Sequence, residues 1–359
     1  MLGKKTVLIL TEEWRAKTAT ALKERILQEN RSVAVIIIDA DELHNKPLAD
    51  YFSRKIKLNV NASRNRARFM SYLSSNYIDV VASVDNTYKG TTSYKRMENI
   101  LTRYTPDVVI TLGFSGVQET IAVKDKNALK IKIFALLDDF TLNKQLINSG
   151  LDGYFVENET MKDALIASNV EEEKVEIVRL PISPYLECDI PKKSANIALK
   201  LDTNKYTALY VIKNGDKEYK QTMKTLESYS DKFNVLLYVE DNTPALEHAV
   251  STRMNVISGR SEIGIAYSAA DFIVTRPNTE TIMTAFINKK LLVLVEAQSI
   301  MEYRAMKYLA NRAMLCDTKY KLGGFLNNYP TEKYTAYAEK GSIVSDNEIA
   351  KKIIEILNA

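Results

Sequence analysis

Residues 270–285 hold the feature that most limits how the chain can fold. A short apolar run, Phe272-Ile273-Val274-Thr275, breaks at Pro277, and Asn278 or Thr279 can cap a helix that begins at once. Strand, polar turn and helix start, in that order, form the unit of a parallel sheet, because parallel strands must be joined by a crossover and a helix supplies it. The alternation continues in both halves of the chain. Its spacing predicts strands over Thr6–Leu10, Val33–Ile38, Asp107–Leu112, Lys130–Leu137, Tyr206–Ile212 and Asn234–Val239. Helices are expected over Ala16–Asn30, Lys89–Tyr104 and Asp346–Leu357. The class is α/β, and 359 residues suffice for two domains with separate cores.

Composition narrows the function. An apolar share of 46% with 26% charged residues is that of a globular protein, and a net charge of +4 gives no reason to expect nucleic acid as a partner. Cys188 and Cys316 lie far apart, which argues against a disulfide framework and for a reducing, cytoplasmic setting. No apolar run approaches the roughly 20 residues of a membrane span. Asp39-Ala40-Asp41 imitates a metal-binding carboxylate pair, but acidic residues at a strand end are commonplace, so no metal and no cofactor are expected. Between Asp50 and Asp79 there is no acidic residue. Arg54, Lys55, Lys57, Arg64, Arg66 and Arg68 crowd there with Tyr51, Phe52, Phe69 and Tyr72. A basic segment with aromatic anchors suits an anionic membrane surface, at about 1 kcal/mol per basic residue, and it also suits a solvated loop.

A second stretch carries a pattern in order. Asp138-Asp139-Phe140 and Asn143 precede Gly150-Leu-Asp-Gly-Tyr-Phe-Val156. A short helix follows, and then Val175-Glu-Ile-Val-Arg-Leu-Pro181-Ile-Ser-Pro184. This resembles the diacylglycerol glucosyltransferases and the monogalactosyldiacylglycerol synthases, relatives of the enzyme that adds N-acetylglucosamine to the peptidoglycan lipid precursor. The resemblance implies a GT-B scaffold of two Rossmann-like domains facing an interdomain cleft. Residues 1–187 would form the acceptor-side domain, 188–205 a linker, 206–335 the nucleotide-sugar domain, and 336–359 a segment whose helix returns to the first domain. It implies a hexose transferred from a nucleotide sugar, UDP-linked, to a lipid or lipid-linked acceptor, by a peripheral protein on the inner face of the cell membrane. The basic stretch from Arg54 to Phe69 would be its membrane contact.

The family's site residues are carried over position by position, and many are changed. The donor motif Pro-Gly-Gly-x-Thr-x-x-Glu-Ala reads here Pro277-Asn278-Thr279-Glu280-Thr281-Ile282-Met283-Thr284-Ala285, after Arg276. Both glycines are replaced, and Thr284 stands where a Glu would hold the ribose. Of a following Gly-Gln-Glu element, Glu302 remains. Asn214 and Gly215 match the loop that helps hold the diphosphate, and Ser258, Gly259 and Arg260 the turn that packs on uracil. The family's first loop carries a histidine near the acceptor. Here it reads Thr11-Glu12-Glu13-Trp14-Arg15, so either carboxylate takes that place or is a solvated charge at a helix start. Asp139 lies at the cleft edge. Asn143 replaces a second family histidine, and an amide cannot take a proton at neutral pH. The changes leave a competing reading: a GT-B shell that binds or regulates without chemistry, with an active glycosyltransferase as partner or as a homo-oligomer.

Overall fold

The computed structural model describes residues 4–12, 15–43, 91–113, 115–138, 140, 142, 146–187, 189–213, 219–239, 254–257, 259–298, 300–316, 319–342 and 344–359. They form two units, each built on one six-stranded, all-parallel sheet. The expected α/β class, with two Rossmann-like units, is what the chain adopts.

In the first unit the strands are β1 (Thr6–Thr11), β2 (Ala34–Asp39), β3 (Val108–Thr111), β4 (Lys132–Leu136), β5 (Gly153–Val156) and β6 (Val175–Ile177), in spatial order β2-β1-β3-β4-β5-β6. Every residue of β1 and β3 is buried, which explains their unbroken apolar runs: helices cover a parallel sheet on both faces. Leu8 stands opposite Ile36 on one side and Val109 on the other. The helices are α1 (Ala16–Glu29), α2 (Thr91–Tyr104), α3 (Val117–Lys126) and α4 (Glu159–Ile166). Helix α1 buries Ala19, Leu22 and Ile26, the stripe that helical spacing selects. At the start of α3, Gly116 has φ +82°, a left-handed conformation that L side chains resist, and a Cβ there would sit 2.8 Å from Leu43.

The second unit runs in chain order through α5 (Lys192–Ala198), β7 (Tyr206–Ile212), α6 (Tyr219–Glu227), β8 (Phe233–Val239), β9 (Asn255–Ile257), α7 (Arg260–Ala269), β10 (Phe272–Thr275), α8 (Thr279–Ile287), β11 (Leu291–Leu294), α9 (Ile300–Tyr308), β12 (Met314–Leu315), α10 (Lys319–Asn328) and α11 (Glu332–Gly341). Its strand order, β12-β11-β10-β7-β8-β9, is the 3-2-1-4-5-6 arrangement of dinucleotide-binding folds read from the far edge. One side of the sheet packs on aromatic rings: Phe272 meets Phe233 at 5.6 Å and Phe325 at 5.1 Å, both edge to face. Residues 192–198, inside the span that reads as a polar linker, are the helix α5, with Ala195 and Asn196 buried.

The chain ends in α12 (Ile349–Asn358), which belongs to the first unit. Ile349, Ile353 and Leu357 form its buried stripe. Glu348 pairs with Arg179 at 2.5 Å and Lys352 with Glu176 at 2.9 Å, so polar contacts at the edge strand fix where the helix lies.

Candidate functional site

Open parallel sheets seat ligands at the carboxyl ends of their strands, where neighbouring crossovers diverge to opposite sides. In the second unit that switch lies between β7 and β10, paired through Val211 and Thr275. The sequence stretch that sets the fold is therefore also the edge of this crevice.

Three features converge there. Asn278 has extended backbone and caps α8, its Oδ1 accepting from Thr281 N at 2.9 Å, while its Nδ2 donates to the Arg276 carbonyl at 3.1 Å. The cap locks the turn, and the positive end of the α8 dipole faces the crevice mouth. Arg276, 7% exposed, donates from one terminal nitrogen to Glu302 Oε1 at 2.5 Å, and Glu302 Oε2 accepts from Gln298 N at 2.6 Å. Among the described residues the buried Arg276 Nε finds no hydrogen-bond acceptor. A guanidinium N–H withdrawn from water without an acceptor is costly and suited to an anion. Third, Lys213, just past β7, pairs with Glu280 in the first turn of α8 at 3.0 Å. Beside them, burial pushes the Tyr267 phenol well above its ordinary range, so it stays neutral.

The carried-over positions fall out as follows. Arg276, Asn278, Thr279, Thr281 and Glu302 gather at this edge. Gly259 precedes α7, and Arg260 begins it. Thr284 is 0% exposed, and its hydroxyl donates to the Glu280 carbonyl at 2.6 Å within the helix. Glu13, Asp139, Asn143, Asn214, Gly215 and Ser258 lie outside the described residues, as do Arg54, Lys55, Lys57, Arg64, Arg66, Arg68 and Phe69.

Sequence reading missed several members of the edge. Lys213 and Glu280 are separated by many residues, so no local pattern joins them. Glu296, just past β11, is 7% exposed, has φ +52° and accepts a hydrogen bond from Thr222 on α6. A non-glycine residue in that conformation at a strand end marks strain of the kind found at functional sites, with no signal in the residue type.

The first unit has its own switch point, between β1 and β3. Glu12, one residue past β1, is 1% exposed. Arg15 and Asp138, both largely buried, form an ion pair that joins the β1 loop to the end of β4. Glu157, past β5, is buried and accepts from Asn158, whose Oδ1 caps α4 through Met161 N at 3.1 Å. Among the described residues no group of three or more His, Cys, Asp or Glu could hold a metal ion.

Residues 16–182 match the monogalactosyldiacylglycerol (MGDG) synthase family model. The processive diacylglycerol beta-glucosyltransferase of Bacillus pumilus (strain SAFR-032) is 28% identical over 116 residues, 32% of this chain and 30% of that protein. The enzyme of the same description from Bacillus subtilis (strain 168) is 24% identical over 204 residues, 53% of this chain and 51% of that one. The chain thus aligns with about half or less of these relatives' length. A glycosyltransferase from Rickettsia africae ESF-5 shares the fold at TM-score 0.59 and 14% identity, over 99% of this chain and 98% of that one. The UDP-GlcNAc 2-epimerase of Neisseria meningitidis, bound to UDP-GlcNAc, does so at TM-score 0.57 and 12% identity, over 98% and 99%. One scaffold thus serves a transferase and an epimerase, so activity must be argued from the site. The chain has the GT-B fold of the glycosyltransferases and is similar, over residues 16–182, to the MGDG synthases.

Proposed function

We propose that the chain transfers a hexose from a UDP-linked sugar to a diacylglycerol-type lipid at a membrane surface. The observation that carries this reading is the buried Arg276 guanidinium, with an N–H that finds no acceptor among the described residues, beside the capped start of α8 at the switch point of the second unit. In this reading the diphosphate lies against α8 and Arg276, and uracil lies near Ser258, Gly259 and Arg260. As the bond from sugar to phosphate breaks, negative charge grows on the diphosphate. Arg276, Lys213 and the α8 dipole are fixed in place before that charge appears, which is how electrostatic catalysis avoids reorganisation. The basic stretch from Arg54 to Phe69 supplies the membrane contact, on the cytoplasmic face.

The second reading, a GT-B shell that binds or regulates without turnover, rests on Thr284. Its hydroxyl is already engaged inside the helix, so the position offers the ribose no carboxylate. Lys213 and Arg276 each face a carboxylate of the same unit, which an incoming diphosphate must outcompete.

Calorimetric titration with UDP and ADP tests the common ground. The proposal expects UDP to bind in the micromolar to millimolar range and ADP more weakly. No heat with UDP at millimolar concentration would remove the donor-site assignment.

A further inference from the structure

A nucleotide brings two adjacent ribose hydroxyls to its site, and each needs an acceptor once water is withdrawn. Dinucleotide-binding folds meet ribose hydroxyls with an acidic side chain. Around the β10 turn several polar groups are engaged elsewhere. Thr284 donates its hydroxyl to the Glu280 carbonyl inside α8. Thr281, 1% exposed, bonds the Tyr267 phenol. Glu302 uses one carboxylate oxygen on Arg276 and the other on Gln298 N, and the buried Glu296 accepts from Thr222. Glu280 stands differently. It lies in the first turn of α8, four residues before Thr284 and so on the same face of the helix. Its Oε2 accepts from Lys213 Nζ at 3.0 Å, joining the ends of β10 and β7, while its side chain stays 21% exposed. That bond anchors the carboxylate at the crevice without using up its acceptor capacity, since an ionised carboxylate offers about four lone-pair sites.

We propose that the Glu280 carboxylate accepts hydrogen bonds from both ribose hydroxyls, so that the site selects a ribonucleotide donor over a deoxyribonucleotide-linked sugar. This rests on the donor-site reading above and involves groups of the second unit alone. Thr284 is sealed at 0% exposure, and the turn before it lies about 6 Å nearer the crevice mouth. Helix α8 therefore presents its carboxylate one turn earlier, where a ribose lying between the α8 start and the β9 turn reaches it. A ligand without the hydroxyls takes water from the carboxylate and returns nothing, which is why such a site rejects it strongly.

The test is calorimetric titration of the parent, Glu280→Gln and Glu280→Ala with UDP and with 2′,3′-dideoxy-UDP, alongside melting curves that report folding. The parent should bind UDP about ten- to a hundredfold more tightly than the dideoxy nucleotide, as expected for hydrogen bonds to a charged group. In Glu280→Ala the two should bind within about threefold of each other. Glutamine keeps one neutral acceptor oxygen, so its ratio should fall between. The ratio separates this role from a structural one. A carboxylate that only restrained Lys213 would shift both nucleotides together, so an alanine variant that keeps the parent's ratio within about threefold overturns the proposal. A parent that binds no UDP removes the donor-site reading, and this proposal falls with it. A parent that binds UDP, yet holds the dideoxy nucleotide within about threefold of it, overturns this proposal alone. Should the variants fail to fold, a crystal structure of the parent with UDP decides. Ribose hydroxyls at hydrogen-bond distance from the Glu280 carboxylate support the assignment, and hydroxyls bonded to solvent or to another residue overturn it.

Discussion

Replacing Arg276 with Met separates its two roles, holding the turn and receiving a phosphate. Its guanidinium and the Glu302 carboxylate have side-chain exposures of only 8% and 16%. Removing one partner of so buried a pair strands the other charge, at a cost of about 3–5 kcal/mol. For a unit of this size that lowers the melting temperature by roughly 6–20 °C. A well-packed apolar replacement of both partners is often neutral, so Arg276→Met with Glu302→Leu should recover most of that loss. UDP affinity should not recover. A charged hydrogen bond to phosphate is worth roughly 1.5–3 kcal/mol, or about ten- to a hundredfold in Kd. Calorimetric Kd values and melting curves on the parent, both single variants and the double variant complete the cycle. If the double variant regains stability and binds UDP as the parent does, Arg276 is a structural residue and the argument from its unsatisfied N–H is wrong.

Three further outcomes follow from particular residues. Replacing Arg64, Arg66 and Arg68 with Ser should release the chain from anionic vesicles, and added salt should mimic the change by screening; equal sedimentation of variant and parent would reject a membrane role for the stretch. Gly341→Ala puts a methyl 2.8 Å from the Phe286 ring and 3.1 Å from the Arg312 carbonyl, and should lower stability by about 1–3 kcal/mol; an unchanged melting curve would contradict that packing. Burial holds the Lys290 ammonium below the ordinary lysine value of 10.5. At pH below the folded-state value both states keep the proton and the burial penalty is fully present. As pH climbs toward 10.5 the folded state sheds it first, so the parent should gain stability relative to Lys290→Met, and a pH-independent gap would refute this.

The scaffold was legible in the sequence because its strands are buried on both faces. Tyr206–Ile212 needs no partner to be recognised as such a strand, and Asn278 before a helical apolar run announces its own cap. Helix α5 was hidden because Lys192–Ala198 buries only Ala195 and Asn196, leaving a polar composition that reads as linker. The site was harder to read than the scaffold. Glu12 and Glu13 are adjacent carboxylates in one short loop, and no local pattern announces that Glu12 is buried beside the glycine past β3. Lys213 with Glu280, and Arg15 with Asp138, meet solely because parallel strands bring distant carboxyl ends to one edge. The family motif pointed to the β10 turn, and it also pointed to Thr284, whose hydroxyl turns out to serve its own helix.

Transfer itself is the most direct test of the account. The purified chain is incubated with UDP-glucose or UDP-galactose carrying a radiolabelled hexose and with vesicles containing diacylglycerol and anionic lipid, and label in the organic extract is counted against time. The account predicts label that appears in the lipid fraction only with active protein and both substrates present, and that falls when excess UDP competes. Label that stays entirely in the aqueous phase, under conditions where the chain binds both UDP and the vesicles, would contradict transferase activity and leave the shell without chemistry.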